Sequence, residues 1–578
     1  MAPTDQLQEE KIMLHGRAAS EGIGIGKVML IEEHSLEYTP RTVTDTEAES
    51  QRFKAAVDAF CYNTEKQAEN LRSSAGEKEA EILAGHIQII KDPYLSGEIE
   101  KLIADGQCAE SALEHMCDMF IAMFSAADDE LTKQRAADVR DIKSGVLGIL
   151  LGVNEIKVSD APKGTVLVAR ELTPSVTAGI VKENIAGIIT ETGGTTSHSA
   201  ILARALEIPA VLSVEGVASS LKNGDTVVVD GSEGAVIVNP DDNTVAEYSK
   251  KRDAFLAERK ELENYRGRET KSASGEAYEL FCNIGIPEDA VKAVDADGEG
   301  VGLFRSEFLF MDRTSIPTED EQFEAYKKAA LILKGKSLII RTLDIGGDKD
   351  IPYLGLEKEE NPFMGFRAIR YCLKNRELFK SQIKAILRAS AFGDIKIMFP
   401  LITTMDELRE GKKLVAECKA DLRNMGIKLK ENIQVGVMVE TSSAAVIADM
   451  LAKEADFFSI GTNDLTGYTM ACDRGNNDVS YLYSPLQPSV LRMIKRTIEC
   501  GVQNGISVGM CGEAAANKLM IPLLISFGLT EFSVSAPSVL NVRKIISTWT
   551  KEEADKVTAK VLEMSTQQEI VEYLKSVV

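Results

Sequence analysis

From residue 271 to residue 578 the sequence repeats one pattern, in which a short apolar stretch is followed by a longer stretch with apolar residues at helical spacing. Strands that alternate with helices pair in parallel, and eight such units are the signature of a closed (β/α)8 barrel. The repeat therefore predicts an α/β fold with a TIM barrel over residues 271–578. The eight predicted strands are Tyr278–Ile284, Gly300–Arg305, Ser337–Leu343, Ile395–Phe399, Val435–Val439, Asp456–Ile460, Ser507–Met510 and Glu531–Ser535.

Charged and reactive side chains follow these strands at their C-terminal ends, namely Arg305, Arg341, Glu440, Asp464 and Cys511. Barrel enzymes place their chemistry on that face. Guanidinium groups bind phosphate and carboxylate through paired hydrogen bonds, and two carboxylates suit Mg²⁺ together with substrate oxygens. A thiol at this place can transfer a proton. The pattern therefore predicts a site for a small ligand with phosphate and carboxylate groups, in which Glu440 and Asp464 hold the metal.

Other residues of the same types have plainer interpretations. The small neighbours of Cys511 predict that this thiol opens to the barrel mouth, whereas the remaining cysteines lie in apolar or helical contexts and are expected to be inert. For arginines away from the strand ends we prefer surface or interhelical ion pairs, namely Arg313, Arg370 and Arg388.

A second reactive position lies in the N-terminal half. The apolar run Ile185–Thr190 predicts a strand, the pair Gly193-Gly194 permits a tight turn, and a helix is predicted to begin near His198. A helix N-terminus favours an anion, so a neutral imidazole there is a plausible nucleophile toward phosphorus. The plainer alternative is a capping or packing histidine. The convergence of glycines, hydroxyl residues and a helix start on His198 favours the functional interpretation.

The N-terminal half also changes character along its length. Strand signals in residues 1–42 and 152–240 predict one α/β domain, which is interrupted by residues 43–151, where apolar spacing predicts four or so helices. This insert is acidic and could dock a basic partner, although an ordinary solvated bundle is the alternative. Residues 241–270 are highly charged and predict a linker helix.

Three alternating glycines, Gly22, Gly24 and Gly26, also form a pattern seen in nucleotide-binding loops. They precede a strand instead of joining a strand to a helix, so a dinucleotide fingerprint is not favoured. We predict a first strand or hairpin here.

Composition excludes several classes of protein. The chain has 578 residues, which predicts two to four domains, and a formal net charge of −23, which does not suit nucleic acid or an anionic membrane. Nine cysteines without a C-x-x-C spacing predict reduced thiols in the cytoplasm. Met1 to Met13 is polar and acidic, unlike a signal or transit peptide, and no apolar run is long enough to span a bilayer.

Several motifs resemble, in family order, the enzyme I family of the phosphoenolpyruvate-dependent sugar phosphotransferase system. Residues 191–213 are similar to its phosphohistidine segment, which is shared with pyruvate phosphate dikinase and phosphoenolpyruvate synthase; Thr195 stands where enzyme I has Arg. Two further departures, Ser442 for Pro and Phe366 for Trp, remove no reacting group. The motifs of the barrel half are Gly302-Leu-Phe-Arg-Ser-Glu307, Arg341-Thr-Leu-Asp-Ile-Gly-Gly-Asp-Lys349, Glu359 to Arg367, Gly436-Val-Met-Val-Glu440, Phe457 to Asp464, Asp473-Arg474 and Gly509-Met-Cys511-Gly-Glu513.

The resemblance implies a phosphohistidine-carrying, swivelling α/β domain with an inserted helical bundle, followed by a TIM barrel. It implies a phosphoenolpyruvate–protein phosphotransferase that phosphorylates its own His198 and releases pyruvate. Cys511 is then the proton donor, and Arg367 approaches the site. The implied substrate-binding residues are Arg305, Arg341, Asn463, Asp464 and Arg474, and the implied Mg²⁺ ligands are Glu440 and Asp464.

The resemblance also implies partners. The insert would pass the phosphoryl group to the small histidine phosphocarrier protein HPr, and the chain would form a homodimer through the barrel, for which the apolar segment Leu519–Ile525 adds weak support. Two alternatives are less favoured. A dikinase or phosphoenolpyruvate synthase needs a large ATP-binding domain, but the chain has no Walker loop and its insert is too small. A non-catalytic sensing protein would not need His198, Cys511 and both carboxylates.

Overall fold

The computed structural model describes residues 12–31, 36–74, 77–126, 130–153, 158–172, 174–177, 180–194, 197–311, 313–346, 351–473 and 475–578. The chain divides into two compact units, Met1–Arg259 and Lys260–Val578. Each unit is described by itself.

The first unit is built on an eight-stranded sheet with the strand order β1-β8-β7-β3-β4-β5-β6-β2. The four strands β3, β4, β5 and β6 run parallel, and the strands at both flanks are antiparallel to their neighbours. The strands are β1 Ile12–His15, β2 Arg17–Ser20, β3 Ile23–Ile31, β4 Thr165–Ala169, β5 Ile185–Thr190, β6 Ala210–Leu212, β7 Thr226–Asp230 and β8 Ala235–Val238.

Glycines occupy positions in this sheet where the chain turns sharply or where two backbones come close together. β1 and β2 lie at opposite edges of the sheet but are separated by Gly16 alone, so the sheet must curl to bring its edges together. The predicted strand after Gly22 is found, but Gly24 and Gly26 lie inside it. A Cβ on either would stand 2.0 Å from a backbone carbonyl oxygen, that of Ala186 or of Gly164. Close approach of the backbone, and not a ligand, therefore accounts for both glycines.

Both faces of the parallel strands are buried. In β4, Leu167 and Ala169 join one apolar cluster with helix residues such as Leu202, whereas Val166 and Val168 join a second cluster. Strands covered on both faces read as continuous apolar runs, as β4 does.

The predicted helical insert contains five helices, one more than the four or so that spacing suggested. At the start of one of them, the Asp92 carboxylate accepts a hydrogen bond from the Tyr94 amide at 2.9 Å, which caps the helix. The helices of the first unit, the last of which runs past its end, are α1 Thr46–Ser74, α2 Glu77–Ile90, α3 Pro93–Ala104, α4 Ala109–Ser125, α5 Glu130–Leu151, α6 Pro174–Thr177, α7 His198–Leu206, α8 Val217–Ser220 and α9 Asp242–Leu262.

The second unit is a closed barrel of eight parallel strands, in the order β9 to β16 around the ring. All eight predicted strands are present, with ends within two residues of the prediction. The third ends early because the Leu343 amide donates to the Gln382 side chain at 2.9 Å. The strands are β9 Glu279–Ile284, β10 Gly300–Arg305, β11 Ser337–Arg341, β12 Asp394–Phe399, β13 Val435–Val439, β14 Phe457–Ile460, β15 Ser507–Met510 and β16 Glu531–Val534.

Helices surround the barrel and cover the apolar outer face of its strands. Among the described residues of the whole chain, none of the helices combines the length and apolar character needed to cross a bilayer. The helices of this unit are α10 Asp289–Asp295, α11 Glu319–Leu333, α12 Ala368–Lys374, α13 Arg376–Ala389, α14 Met405–Asn424, α15 Ser442–Val446, α16 Ala448–Leu451, α17 Thr462–Met470, α18 Pro488–Gln503, α19 Ile521–Phe527, α20 Val539–Thr548, α21 Lys551–Glu563 and α22 Gln567–Val577.

The apolar segment Leu519–Ile525 does not form an exposed patch. Met520, Ile521 and Leu523 to Ile525 are fully buried inside the unit, where they belong to its main apolar cluster. Its apolar character is explained by packing within the chain, so it lends no support to a homodimer.

Candidate active site

The barrel brings the predicted site residues of this unit to one rim. Because all eight strands are parallel, their carboxyl ends meet at the same end of the barrel. Arg305 and Arg341 are the last residues of β10 and β11, and Glu440 and Cys511 directly follow β13 and β15. Asp464 lies in the first turn of α17, just after β14. Arg474 lies outside the described residues.

Five charged side chains form an alternating chain along this rim. The Arg341 guanidinium donates to Glu307 and also approaches an oxygen of Asp344 at 3.0 Å. The other oxygen of Asp344 lies 2.8 Å from Nη2 of Arg367, and the same nitrogen lies 3.3 Å from a carboxylate oxygen of Asp464. The order of charges is therefore negative, positive, negative, positive, negative. Such a chain fixes two guanidinium groups before any ligand binds.

These guanidinium groups stay charged although they are buried. Burial alone would lower the pKa of Arg341, but Glu307, Asp344 and Glu440 raise it above its usual value. Nε of Arg341 is buried and has no hydrogen-bond partner among the described residues. A preorganised cation with unused donor capacity is suited to an anionic ligand.

Glu440 is fully enclosed at the rim. One of its oxygens accepts a hydrogen bond from the Leu401 amide at 2.7 Å, and the other lies 2.6 Å from where a Cβ of Gly461 would stand. Burial first, and then the carboxylates of Asp464 and Asp344, raise the pKa of Glu440 to about 8. Crowded buried carboxylates of this kind fit a divalent cation, which would relieve their repulsion.

The oxygen donors here are few. No group of three or more His, Cys, Asp or Glu side chains in the described part of the chain is arranged to hold a metal ion. Two carboxylates with substrate oxygens are a usual set for Mg²⁺, so Glu440 and Asp464 fit that ion only together with a ligand.

Cys511 is buried, contrary to the expected opening to the barrel mouth. Its side chain belongs to a small apolar cluster inside the barrel with Leu303, Ile339 and Met438, among others. Its sulfur lies 3.7 Å from the carbonyl oxygen of Ile460. Burial raises the pKa of Cys511 to about 11, so the group is a thiol near neutral pH. A protonated thiol is the form that a proton donor needs.

The two remaining described residues of the predicted barrel site differ in exposure. Arg305 is exposed at the end of β10, and Asn463 is half-buried on α17 beside Asp464. The backbone carbonyl of Asn463 accepts a hydrogen bond from the Tyr483 hydroxyl at 3.0 Å, which holds the first turn of the helix. Arg305 is thus the described arginine of this rim that solvent reaches most easily.

His198 lies in the first unit, where α7 begins, as predicted. Ser197 caps the helix, since its hydroxyl oxygen accepts a hydrogen bond from the Ala200 amide at 3.3 Å. The preceding turn is held by Ser213, whose hydroxyl donates to the carbonyl of Gly193 at 2.6 Å. Gly193 has a φ of 107°, which side-chain-bearing residues rarely adopt. A first-turn position in α7 is the setting in which backbone N–H groups favour an anion.

Comparisons with known proteins agree with this architecture. Three family models match in order: "PEP-utilising enzyme, N-terminal" over residues 15–135, "PEP-utilising enzyme, mobile domain" over 161–234, and "PEP-utilising enzyme, PEP-binding domain" over 259–550. The phosphoenolpyruvate-protein phosphotransferase of Bacillus subtilis is 46% identical over 97% of this chain and 99% of its own length, and that of Listeria innocua is 45% identical over 97% and 98%. The chain belongs to this family. The predicted family and fold are thereby confirmed.

The sequence gives no role to three side chains of this network, namely Glu307, Asp344 and Tyr468. Tyr468 lies one helical turn beyond Asp464 on α17, so helical spacing offers a signal for that residue. The arginines expected to form ordinary ion pairs do so. Arg388, for example, contacts Glu319 at 2.6 Å.

Proposed function

We propose that this chain transfers the phosphoryl group of phosphoenolpyruvate to its own His198, releases pyruvate, and then passes the group to the histidine of the phosphocarrier protein HPr for sugar uptake. Membership of the phosphoenolpyruvate-protein phosphotransferase family supports this activity. The observation that carries it is the chain of alternating charges at the barrel rim, where two buried guanidinium groups stand beside the crowded carboxylates Glu440 and Asp464.

The ligand would replace part of that internal network. Phosphoenolpyruvate carries a phosphate and a carboxylate, and both groups accept paired hydrogen bonds from guanidinium. We assign this binding to Arg305, Arg341 and Arg474, with Arg367 close by and Asn463 as a further polar contact. Arg341 and Arg367 are held by carboxylates in advance, so little side-chain entropy is lost when the ligand binds.

Glu440 and Asp464 would hold Mg²⁺. When bound, this ion neutralises negative charge on the phosphate oxygens and relieves the repulsion between the two carboxylates. Two contacts support this assignment: Glu440 accepts a hydrogen bond from the Leu401 amide at 2.7 Å, and Asp464 lies 3.3 Å from Arg367.

The imidazole of His198 would attack phosphorus in line, so that a P–N bond forms while the bond from phosphorus to the enol oxygen breaks. The electron pair of that bond passes to the enolate, whose terminal carbon takes the proton of the Cys511 thiol, which gives pyruvate. The thiolate then recovers a proton from solvent. Because His198 and the arginines belong to different units, the reaction requires the two units to meet during turnover.

We assign recognition of the carrier to residues 43–151, the acidic helical insert. A partner with a basic rim around its histidine would be attracted to it, and salt would slow the association because exposed charges are screened beyond about 8–10 Å. Replacing residues 43–151 by a short closed loop should leave self-phosphorylation intact and stop transfer to the carrier. A folded variant that passes phosphate at the wild-type rate would exclude this role.

We also infer a homodimer through the barrel and a place in the cytoplasm. The dimer rests on the resemblance, and light scattering with Mg²⁺ and ligand tests it. All nine cysteines are free and buried, which agrees with a reducing compartment.

The decisive experiment for the proposed activity is labelling with phosphoenolpyruvate that carries radioactive phosphorus, without ATP. We expect acid-labile phosphate on the wild-type protein and none on His198→Ala, whereas His15→Ala, which changes an exposed histidine of the same unit, should label normally. A requirement for ATP would favour a dikinase. Binding without pyruvate release would favour a sensing protein.

A further inference from the structure

The described residues of the loop that leads to Arg367 form no strand, yet the side chain of Arg367 at its end is buried. Between β11 and α12 the described part of this loop contains two short helical turns, Pro352–Leu354 and Pro362–Met364. Its outer part is held by Glu359, whose two oxygens accept hydrogen bonds from the Phe366 amide at 3.1 and 3.0 Å. That contact fixes the backbone before Arg367 but does not reach the guanidinium itself.

Four groups hold the guanidinium of Arg367. Two are the carboxylates Asp344 and Asp464, and one is the ring of Phe363, whose centroid lies 5.9 Å from Cζ of Arg367. Nε of Arg367 is buried with no hydrogen-bond partner among the described residues. The remaining contact is the hydroxyl of Tyr468, 3.4 Å from Nη1. The position of the guanidinium therefore depends on its two terminal nitrogens.

Tyr468 joins two separate elements. It lies on α17, four residues after Asp464, and its hydroxyl donates a hydrogen bond to the backbone carbonyl of Phe363. The same oxygen accepts from Arg367. One neutral hydroxyl thus ties the loop and its guanidinium to the helix that carries Asn463 and Asp464.

We propose that Tyr468 is a positioning residue, which holds the loop Phe363–Arg367 on α17 so that the Arg367 guanidinium keeps its place when substrate enters. This inference rests on the proposed function. A metal ion at the rim would compete with Arg367 for the carboxylates of Asp464 and Asp344. A phosphate would repel both carboxylates and compete with them for Arg367. The Tyr468 hydroxyl carries no charge, so it remains a partner of Arg367 in either state.

The test is Tyr468→Phe, which removes only the hydroxyl. We expect kcat/KM for phosphoenolpyruvate to fall roughly tenfold, because a hydrogen bond to a charged group is lost. KM should rise and kcat should fall, each by about threefold. Tyr371→Phe is the matched control: its buried hydroxyl donates to the Leu354 carbonyl at 3.3 Å in the same region. That variant should keep wild-type kinetics.

A double-mutant cycle with Arg367→Lys separates positioning from a general structural effect. If Tyr468 acts through Arg367, adding Tyr468→Phe to Arg367→Lys should cost less than about twofold. An equal loss in both backgrounds, or no loss in either, would overturn the proposal.

Amide hydrogen exchange without substrate provides a readout that does not depend on turnover. Residues 361–367 should exchange roughly tenfold faster in Tyr468→Phe than in wild type or Tyr371→Phe. Unchanged exchange would overturn the holding role even in an active enzyme. If the wild-type protein released no pyruvate, the proposed function would fall, and the exchange result would still decide whether Tyr468 holds the loop.

Discussion

Two glutamates in one barrel share a shifted pKa but stand at opposite ends. Glu440 follows β13 at the carboxyl-end rim, and Glu531 opens β16 at the floor. Both side chains are almost completely buried, and burial is the main cause that raises the pKa of each to about 8. Burial thus raises the pKa of both groups, whereas the charged residues around them differ.

At the floor, the carboxyl group of Glu531 packs against two glycines of other strands. Its Oε1 atom lies 2.4 Å from where a Cβ of Gly302 would stand and 2.8 Å from that of Gly509, so the carboxyl group fills space that these glycines leave. Oε1 has no hydrogen-bond partner among the described residues. Glu279 pairs with it in the strand register and Lys396 opposes it electrostatically. No arginine appears in these contacts.

At the rim, Glu440 lies among charged side chains of both signs. Asp464, Asp344, Arg341 and Arg367 all act on its titration. They come from three segments, namely the end of β11, the loop before α12, and α17. A raised pKa alone thus does not mark a functional glutamate. We base the proposed role of Glu440 on its place at the carboxyl end, with paired arginines and a second carboxylate.

The largest difference should appear in catalysis. Glu440→Gln removes a proposed metal ligand, so we expect kcat/KM for pyruvate release to fall by about 10⁴-fold, which corresponds to the several kcal/mol that a bound cation contributes to charge stabilisation. Glu531→Gln should stay within about twofold of wild type. Comparable losses in both variants would show that the rim and the floor do not differ in function.

The next difference concerns two buried cysteines. Cys511→Ala should still bind phosphoenolpyruvate but turn over about 10²–10⁴ times more slowly, because general acid catalysis is lost. Cys282 on β9 is the control: burial raises its pKa to about 12, and it packs on the outer face of the barrel. Cys282→Ala should keep wild-type turnover. Equal turnover of Cys511→Ala and wild type would exclude the thiol as the proton donor.

The last difference concerns stability at the floor and involves no change in catalysis. The pKa of Glu531 is higher in the folded than in the unfolded protein, so its contribution is fully present below about pH 4.5 and is lost as the pH rises through about 8. The slope is at most about 1.4 kcal/mol per pH unit. The unfolding temperature of Glu531→Gln should therefore rise relative to that of wild type as the pH increases from 5 to 8. A constant difference across that range would contradict the assignment.

The sequence predicted the barrel because each strand is a short apolar run before a helical repeat, and that period is local. It also predicted which strand ends carry Arg305, Arg341 and Glu440, since chain order alone puts them on one rim. It could not predict that Arg341 pairs with Glu307, or that Cys511 is closed off by Leu303 and its neighbours, because these contacts join different strands across the barrel.

Apolar character and glycine spacing do not by themselves reveal how two segments of this chain pack. The segment Leu519–Ile525 is apolar enough for an interface, but its side chains fill the core of its own unit. Gly24 and Gly26 have the spacing of a loop, yet neighbouring carbonyl oxygens leave no room for a side chain inside β3. In both cases the deciding neighbour is distant in sequence.

The most direct test of the difference between rim and floor is cation binding without turnover. In a His198→Ala background, where the proposed phosphoryl acceptor is absent, Mn²⁺ can stand for Mg²⁺ and be followed by electron paramagnetic resonance in the presence of phosphoenolpyruvate. We predict one bound ion per chain in this background, one when Glu531→Gln is added, and a loss of binding when Glu440→Gln is added. Full binding by the Glu440→Gln protein, or loss of binding through Glu531→Gln, would contradict the account.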